Sequence, residues 1–313
     1  MIALLFPLGC LSLVSLFIGV SPLSLTRLLA ADADTLNLFF TSRLPRLLAI
    51  LLAGAGLSIA GLIMQQISQN RFAAPSTTGT IECAMLGYML SFVLFGNGNQ
   101  LWLIFGVAML GTLGFVTLIQ RIQFRNAVLV PLIGIIYGSI IASGTTFIAY
   151  KYDAIQVLNA WTVANFANIL DGNFELLYIA IPIALFSYLY ATRISAVGMG
   201  KDFAIGLGLN SQQVLIIGVM LVSVLSASVV MIVGSLPFLG LLVPNVVSLF
   251  YGDNLRRNIP RVAALGALLV LSCDIASRLI IFPYEVPASM LVSILGGIAF
   301  IYFILKGPSH VRQ

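Results

Sequence analysis

The sequence predicts an all-α integral membrane protein with ten transmembrane helices, and three observations carry that prediction. Hydrophobic residues make up 60% of the chain and charged ones only 8%, with a mean hydropathy of +1.09; soluble domains carry about 25% charged residues. Apolar runs recur along the whole chain, most of them near the length that crosses a hydrocarbon core of about 30 Å at about 1.5 Å per residue. Lys and Arg collect in alternate loops, as expected where cytoplasmic loops are basic. No shift in composition marks a second domain, so residues 1–313 read as one transmembrane domain.

The first run, 2–20, lacks both a basic leading segment and a small-residue cleavage site, so it is expected to be a retained span and not a signal peptide. The second, 46–67, is preceded by Arg43 and entered through Pro45 and Arg46. It ends in a polar stretch, Asn70 to Thr80, that holds Pro75, Ser76, Thr77, Thr78, Gly79 and a single charge, Arg71. Non-helical backbone at membrane depth survives only when buried in protein or beside a wet cavity. The stretch therefore reads as a broken helix beside a polar route; the plainer alternative is a short turn whose hydroxyls cap the next helix. Further spans are expected at 80–95, 101–119, 127–149, 175–192, 213–233, 239–252, 262–281 and 287–305. The eighth is too short to cross alone, so Gly234 to Pro244 is expected to be a second irregular or re-entrant piece.

With both termini inside, the inner side collects Arg71, Arg121, Arg125, Arg193, Lys201, Arg256, Arg257, Arg261, Lys306 and Arg312. The outer side holds Arg27, Arg43, Arg46, Lys151 and Arg278. That asymmetry favours cytoplasmic termini. Arg27 and Lys151 fit helix-end cations that snorkel to the interface. Arg43, Arg46 and Arg278 sit at the outer ends of the second and ninth spans, where they can present fixed guanidiniums to an acidic protein partner.

The longest inner loop, Arg193 to Gln213, is framed by Gly198, Gly200, Gly206 and Gly208. It reads as two short helices with tight glycine turns, a compact knob suited to a groove in another protein, or else as an ordinary linker. It is not a phosphate cradle: Gly198-Met199-Gly200-Lys201 lacks the P-loop spacing and follows no strand. No His, Cys or carboxylate cluster has metal-ligand spacing, the single histidine is His310, and nothing resembles a hydrolytic triad. Cys10, Cys83 and Cys273 lie in apolar stretches and read as packing residues. The sequence pI of 9.3 is accounted for by basic loops, without a nucleic-acid partner.

Several stretches together resemble the iron-siderophore permeases of ABC importers, the group that includes the vitamin B12 permease. They are Arg43-Leu44-Pro45-Arg46; Gln69 to Pro75, similar to N-P-L-A-x-P; Gly200 to Gly208, similar to G-E-x-x-A-x-x-L-G; Phe238 to Asn245, similar to F-x-G-L-x-x-P-H; Arg256 to Pro260, similar to R-x-x-L-P; and Asp274 with Arg278, similar to D-x-x-x-R. The resemblance implies the ten-helix type II importer permease fold, with spans two to five and seven to ten as inverted halves. It implies a second permease subunit, identical or paralogous, two cytoplasmic ATPase subunits that carry ATP and Mg, and a periplasmic siderophore-binding protein. The chain itself would be a non-enzymatic subunit of the bacterial inner membrane, surrounded by lipid and without a cofactor.

By the same resemblance Arg43, Arg46 and Arg278 match arginines that dock the binding protein. Gly200, Lys201, Asp202, Phe203, Ala204, Ile205, Gly206, Leu207, Gly208 and Leu209 match the segment that couples to the ATPase. Asn245 stands where the family has histidine, and Lys201 where it has an acidic residue, which puts roles tied to those side chains in doubt. Glu82 falls at a gate asparagine of the B12 permease; a carboxylate there is either functional or simply favours the positive end of its helix. The pattern around Asn70 to Glu82 is closest to the catecholate-siderophore branch, which takes up vibriobactin, enterobactin or petrobactin types. Thr80, Ser139, Ser143, Thr145, Thr146, Asn245 and Ser248 are the expected pathway hydroxyls and amides. The alternative function is an ion-coupled secondary transporter using Glu82 and Asp274 as ion sites.

Overall fold

A computed structural model describes residues 2–19, 26, 30, 32–96, 98, 100–121 and 129–306; Arg27, Arg125, His310 and Arg312 lie outside them. In chain order the helices are α1 (Ile2–Phe17), α2 (Ala33–Leu38), α3 (Leu44–Ile67), α4 (Thr80–Phe95), α5 (Leu101–Arg121), α6 (Leu129–Lys151), α7 (Ile155–Thr162), α8 (Ala180–Gly198), α9 (Lys201–Gly206), α10 (Ser211–Ile232), α11 (Leu239–Tyr251), α12 (Leu255–Leu279) and α13 (Ala288–Lys306). Among the described residues six helical stretches are long and apolar enough to cross a membrane: Ala33–Ile67, Leu101–Arg121, Leu129–Lys151, Glu175–Gly198, Ser211–Ile232 and Leu255–Leu279. Within α1, α4, α11 and α13 the apolar helices are shorter, at 10–17 residues.

The fold is built on α3. Its apolar window is 78% buried, against 28% for α5 and 22% for each of α6 and α8, so it is the central post. Ala53-Gly54-Ala55-Gly56 and Ser58-Ile59-Ala60-Gly61 give it narrow faces where neighbouring backbones approach closely. A Cβ on Gly54 would lie 2.7 Å from the Gly266 carbonyl oxygen of α12. One on Gly61 would lie 1.9 Å from the Gly240 carbonyl oxygen of α11. α10 and α8 cover the remaining faces of the post, while α4 packs on α5 and α6, and α10 joins the two groups.

Several boundaries differ from the sequence reading. The second span is preceded by α2 and by a π-helical stretch, Phe39–Arg43, fused to it. Pro45 explains the change of winding: it has no N–H to donate and its ring crowds the carbonyl four residues back. That carbonyl, of Thr41, accepts instead from the Asp171 amide at 2.9 Å. The sixth span runs on to Gly198, and the ninth starts at Leu255, because the Asn254 side chain accepts the Arg257 amide and caps it there. The loop between α8 and α10 holds one short helix, α9, where two were expected. The Asn210 side chain accepts the Gln212 and Gln213 amides and returns the chain to helix at Ser211.

Both expected interruptions are present, one after α3 and one after α10. After α3, residues 68–79 turn through Gln69 (φ 51°), a 3₁₀ turn at Pro75–Thr77 and Gly79 (φ 75°). After α10, residues 233–238 turn through Gly234 (φ 99°) and Phe238 (φ 62°). Helix resumes at Leu239, so Pro244 lies inside α11 and not in the irregular piece. The backbone groups of this second break find partners in the segment that begins with α7: Ser235 donates to Trp161 O at 2.9 Å and Val233 O accepts from Asn165 at 3.1 Å. That segment, 155–174, was not expected from the sequence; satisfying backbone groups that water cannot reach gives it a task.

Candidate functional site

Three places bring the singled-out residues together, and α3 spaces them. Its 24 residues span about 36 Å at 1.5 Å per residue, with the arginines at one end and the knob at the other.

At the arginine end, Arg43 and Arg46 leave the start of α3 and Arg278 leaves the last turn of α12. All three are buried, which corrects the expectation of displayed cations. Arg46 is bound twice: Nε and Nη2 donate to Asp274 Oδ1 at 3.3 and 2.7 Å, and Nη1 and Nη2 donate to the two oxygens of Glu285 at 3.0 and 2.8 Å. Asp274, wholly buried, also pairs through Oδ2 with Arg278 Nη2 at 2.5 Å, one turn along α12. Arg278 donates as well to Ser15 O, Ile18 O and Ser15 Oγ at 3.0, 2.8 and 2.5 Å. Arg43 donates to Ile18 O at 2.7 Å. The last carbonyls of a helix lack partners within it and attract cations, so these guanidiniums fasten the end of α1 to α3 and α12. Glu285 belongs to this cluster and was not picked out from the sequence; it is far from Arg46 in the chain and in no motif. Because both Asp274 oxygens face arginines, Asp274 is not an open ion site of the kind the secondary-transporter alternative needs.

At the other end, α9 projects from the bundle. Gly200 (φ 127°) and Gly208 (φ 72°) frame it in conformations open to glycine, and nothing lies within 4 Å of a Cβ on either. Ala204 is buried beneath the helix, whereas Met199, Phe203, Ile205 and Leu207 are 48–62% exposed. Lys201 and Asp202 are exposed too. The Leu209 amide donates back to Ala204 O at 3.0 Å and closes the turn. A six-residue helix that buries one alanine and turns this much apolar surface outward is shaped to be covered. Gln69 ties the knob's base to the first break, donating to Val197 O at 3.2 Å.

The expected pathway residues are placed differently. Thr80 and Thr145 are buried and line no open surface in this conformation. Thr80 Oγ1 lies 3.2 Å from Thr78 Oγ1 and accepts from Thr112 at 2.9 Å, and Ser223 donates to Thr112 at 3.3 Å, so these hydroxyls knit α4, α5 and α10 around the break. Thr77 Oγ1 accepts the Ala74 amide at 2.9 Å. Ser139, Ser143, Thr145 and Thr146 each donate to the carbonyl four residues back along α6, with Ser139 and Ser143 on its exposed face. Asn245 donates to Leu241 O and Arg71 O at 2.7 and 2.8 Å, and Ser248 bonds Asp253, which also pairs with Arg71 at 2.5 Å. Both side chains therefore brace the first break against the α11–α12 turn. Glu82, in the first turn of α4, lies against Gly138 of α6, and its Oε2 is buried without a hydrogen bond in the structure.

Comparison with known proteins decides the family. The FecCD transport family matches residues 5–306. The chain belongs to the FecCD transport family. The family of iron-siderophore ABC permeases that the motifs resemble is thereby borne out. Among relatives, the petrobactin import system permease protein YclN of Bacillus subtilis is 44% identical over 306 residues, covering 96% of both chains. The ferric-anguibactin transport system permease protein FatD of Vibrio anguillarum is 37% identical, covering 94% of each. Among solved structures, a metal-chelate-type ABC transporter in an inward-facing conformation matches with a TM-score of 0.78 at 24% identity over 97% of this chain and 98% of that one, a likeness of fold. A FecCD member is a transport permease component, so the residues above are to be read as surfaces and joints, not as a catalytic centre.

Proposed function

We propose that this chain is the membrane-spanning permease of an ATP-driven importer of ferric siderophores, with catecholate-bearing chelates of the petrobactin type as cargo. The observation that carries the reading is the end-to-end agreement with a relative named as a petrobactin import permease, 44% identical with 96% of each chain covered. The four shorter apolar helices join the six long ones as ten spans, both termini are cytoplasmic, and the bilayer is the bacterial inner membrane. Two permease subunits enclose the route, with α6 and its exposed Ser139 and Ser143 on the facing surface.

In this reading a loaded binding protein docks at the arginine end, outside, and two ATPase subunits seat the Gly200–Leu209 knob, inside. The ring of exposed Phe203, Ile205 and Leu207 supports the second contact. Closure of the ATPase pair pushes the knob, and the first break, tied to the knob's base through Gln69, moves with it. Bond chemistry belongs to the ATPase subunits, where ATP and Mg bind; the permease contributes the joints.

The test is reconstitution of the full importer in sealed proteoliposomes with its ATPases and binding protein. Ferric petrobactin is expected to stimulate ATP hydrolysis and vesicle uptake, while a purely hydroxamate ferric chelate leaves both at the basal level. Equal stimulation by both would overturn the cargo assignment, and uptake driven by a proton gradient without the ATPases would overturn the importer reading.

A further inference from the structure

The charge cluster at the arginine end is unequal, and its two carboxylates differ in kind. Three guanidiniums, of Arg43, Arg46 and Arg278, meet two carboxylates, of Asp274 and Glu285. Asp274 sits on α12, is wholly buried and is held by two arginines. Glu285 comes from the connection between α12 and α13, its side chain is 22% exposed, and it takes Arg46 through two near-parallel hydrogen bonds. The backbone of that connection is fixed without the Glu285 carboxylate: Val286 donates to Ser277 O at 3.1 Å and Tyr284 to Ile281 O at 2.8 Å. Rotation of one side chain is therefore enough to take Glu285 off Arg46. Around it Ile280, Ile281, Phe282 and Tyr284 are exposed, an apolar patch whose aromatic side chains are of the kind enriched where proteins dock.

We infer that Glu285 is a built-in substitute for a partner's carboxylate, occupying Arg46 in the undocked permease and giving way to an Asp or Glu of the docking protein while Asp274 stays in place. The inference rests on the reading that a binding protein docks at this end. Forked pairing of a guanidinium with one carboxylate is chemically the same as pairing with another, so the exchange leaves no buried cation unpaired. Glu285 also keeps Arg46 in the geometry the partner needs, which removes ordering cost from docking. As an internal competitor it lowers the apparent affinity by the fraction of time it holds the site. It thereby favours release of the binding protein after delivery.

The experiment measures docking of the substrate-binding protein of the same import system to the complete importer in nanodiscs, for wild type, Glu285→Gln and Arg46→Lys. Glu285→Gln keeps the shape and removes the competing charge, so docking is expected to tighten about tenfold, the scale of one charge-assisted hydrogen-bonded contact. Arg46→Lys keeps the charge and loses the fork, so docking is expected to weaken. Unchanged or weaker docking of Glu285→Gln, with Arg46→Lys also weaker, overturns the substitute role and leaves the docking reading standing. Unchanged docking of Arg46→Lys overturns docking on this arginine altogether. Amide hydrogen exchange of the undocked protein separates out a merely structural role. Glu285→Gln is expected to leave protection of α12 unchanged, and loss of that protection together with weaker docking would mean that Glu285 is a structural strut.

Discussion

Asp274→Asn tests whether the arginine cluster is a stability element as well as a surface. Asn preserves the volume, so no cavity opens. It removes one charge and turns one acceptor into a donor that faces a guanidinium. Asp274 Oδ1 takes Arg46 at 2.7 and 3.3 Å, its other oxygen pairs with Arg278 at 2.5 Å, and all three side chains are at most 10% exposed. Removing one member of a buried ion pair costs about 3–5 kcal/mol, because the remaining charge stays buried. Arg46 keeps Glu285, and Arg278 keeps Ser15 and Ile18, so the lower end, about 3 kcal/mol, is expected. At about 2–4 °C per kcal/mol that is a fall of about 6–12 °C in the unfolding midpoint. The assay is thermal unfolding of the complete chain in nanodiscs, read by intrinsic fluorescence. The double variant Asp274→Leu with Arg278→Met is expected to recover much of the loss, since apolar replacement of a whole buried pair is close to neutral. A single variant that melts within about 1 °C of wild type would refute the reasoning.

Other outcomes follow from the same geometry. Gly61→Ala drives a Cβ to 1.9 Å from the Gly240 carbonyl oxygen and 2.4 Å from its Cα. Both obstacles are backbone, so a loss of about 1–3 kcal/mol is expected; Gly106→Ala in α5, with nothing within 4 Å, should be neutral or gain up to about 1 kcal/mol, and equal effects at both sites would contradict the close crossing. Phe203→Asp on the exposed face of α9 should reduce co-purification of the ATPase subunits by about tenfold or more while the permease melts as wild type; retained assembly would remove the knob from the ATPase contact. Glu82→Gln removes a charge whose Oε2 has no hydrogen bond in its buried setting, so thermal stability should hold or rise by about 1 kcal/mol. A clear fall would mean that Glu82 has a structural partner.

The positions of the six long spans were legible in outline because they rest on length and hydropathy, which need no tertiary information. Both interruptions were legible because Pro75, Gly79 and Gly234 sit in polar or turn-forming stretches, whereas Pro244 and Gly61, in apolar runs, stay within helices. What polar groups do after the break was not legible. The hydroxyls of Thr77, Thr78 and Thr80 look the same in sequence whether they line a water route or bond within the protein; the structure has Thr77 and Thr78 bonded to Ala74 inside the break and Thr80 bonded to Thr112 of α5. The three arginines stood out in sequence as cations on the less basic side of the membrane, and the structure buries them together. The pairing of Arg278 with Asp274 one turn away was legible from their spacing, but the partners of Arg46 were hidden, because Asp274 and Glu285 lie 228 and 239 residues from it and meet it only after α12 has packed on α3. Segment 155–174 was missed because its task, satisfying the second break, exists only in three dimensions.

The distribution of burial argues which parts of the molecule can move. α3 is gripped through backbone contacts at Gly54 and Gly61, where no side chain can yield, so it is held as a rigid rod against α11 and α12. α8 lies on the rod and α6 on its surroundings, each with most of its apolar surface uncovered in the isolated chain. A single FecCD subunit therefore presents its stiffest element inside and its broadest greasy faces outside, where lipid or a second subunit must cover them. Gln69 joins Val197, at the knob's base, to the first break, where the backbone is already irregular; in the proposed import cycle this contact is the joint between knob and α3. At the far end the rod meets a charge cluster with one exchangeable carboxylate. Rearrangement is thus confined to places where the structure has few covalent or steric commitments: two breaks, one side chain and one short helix around a post that stays fixed.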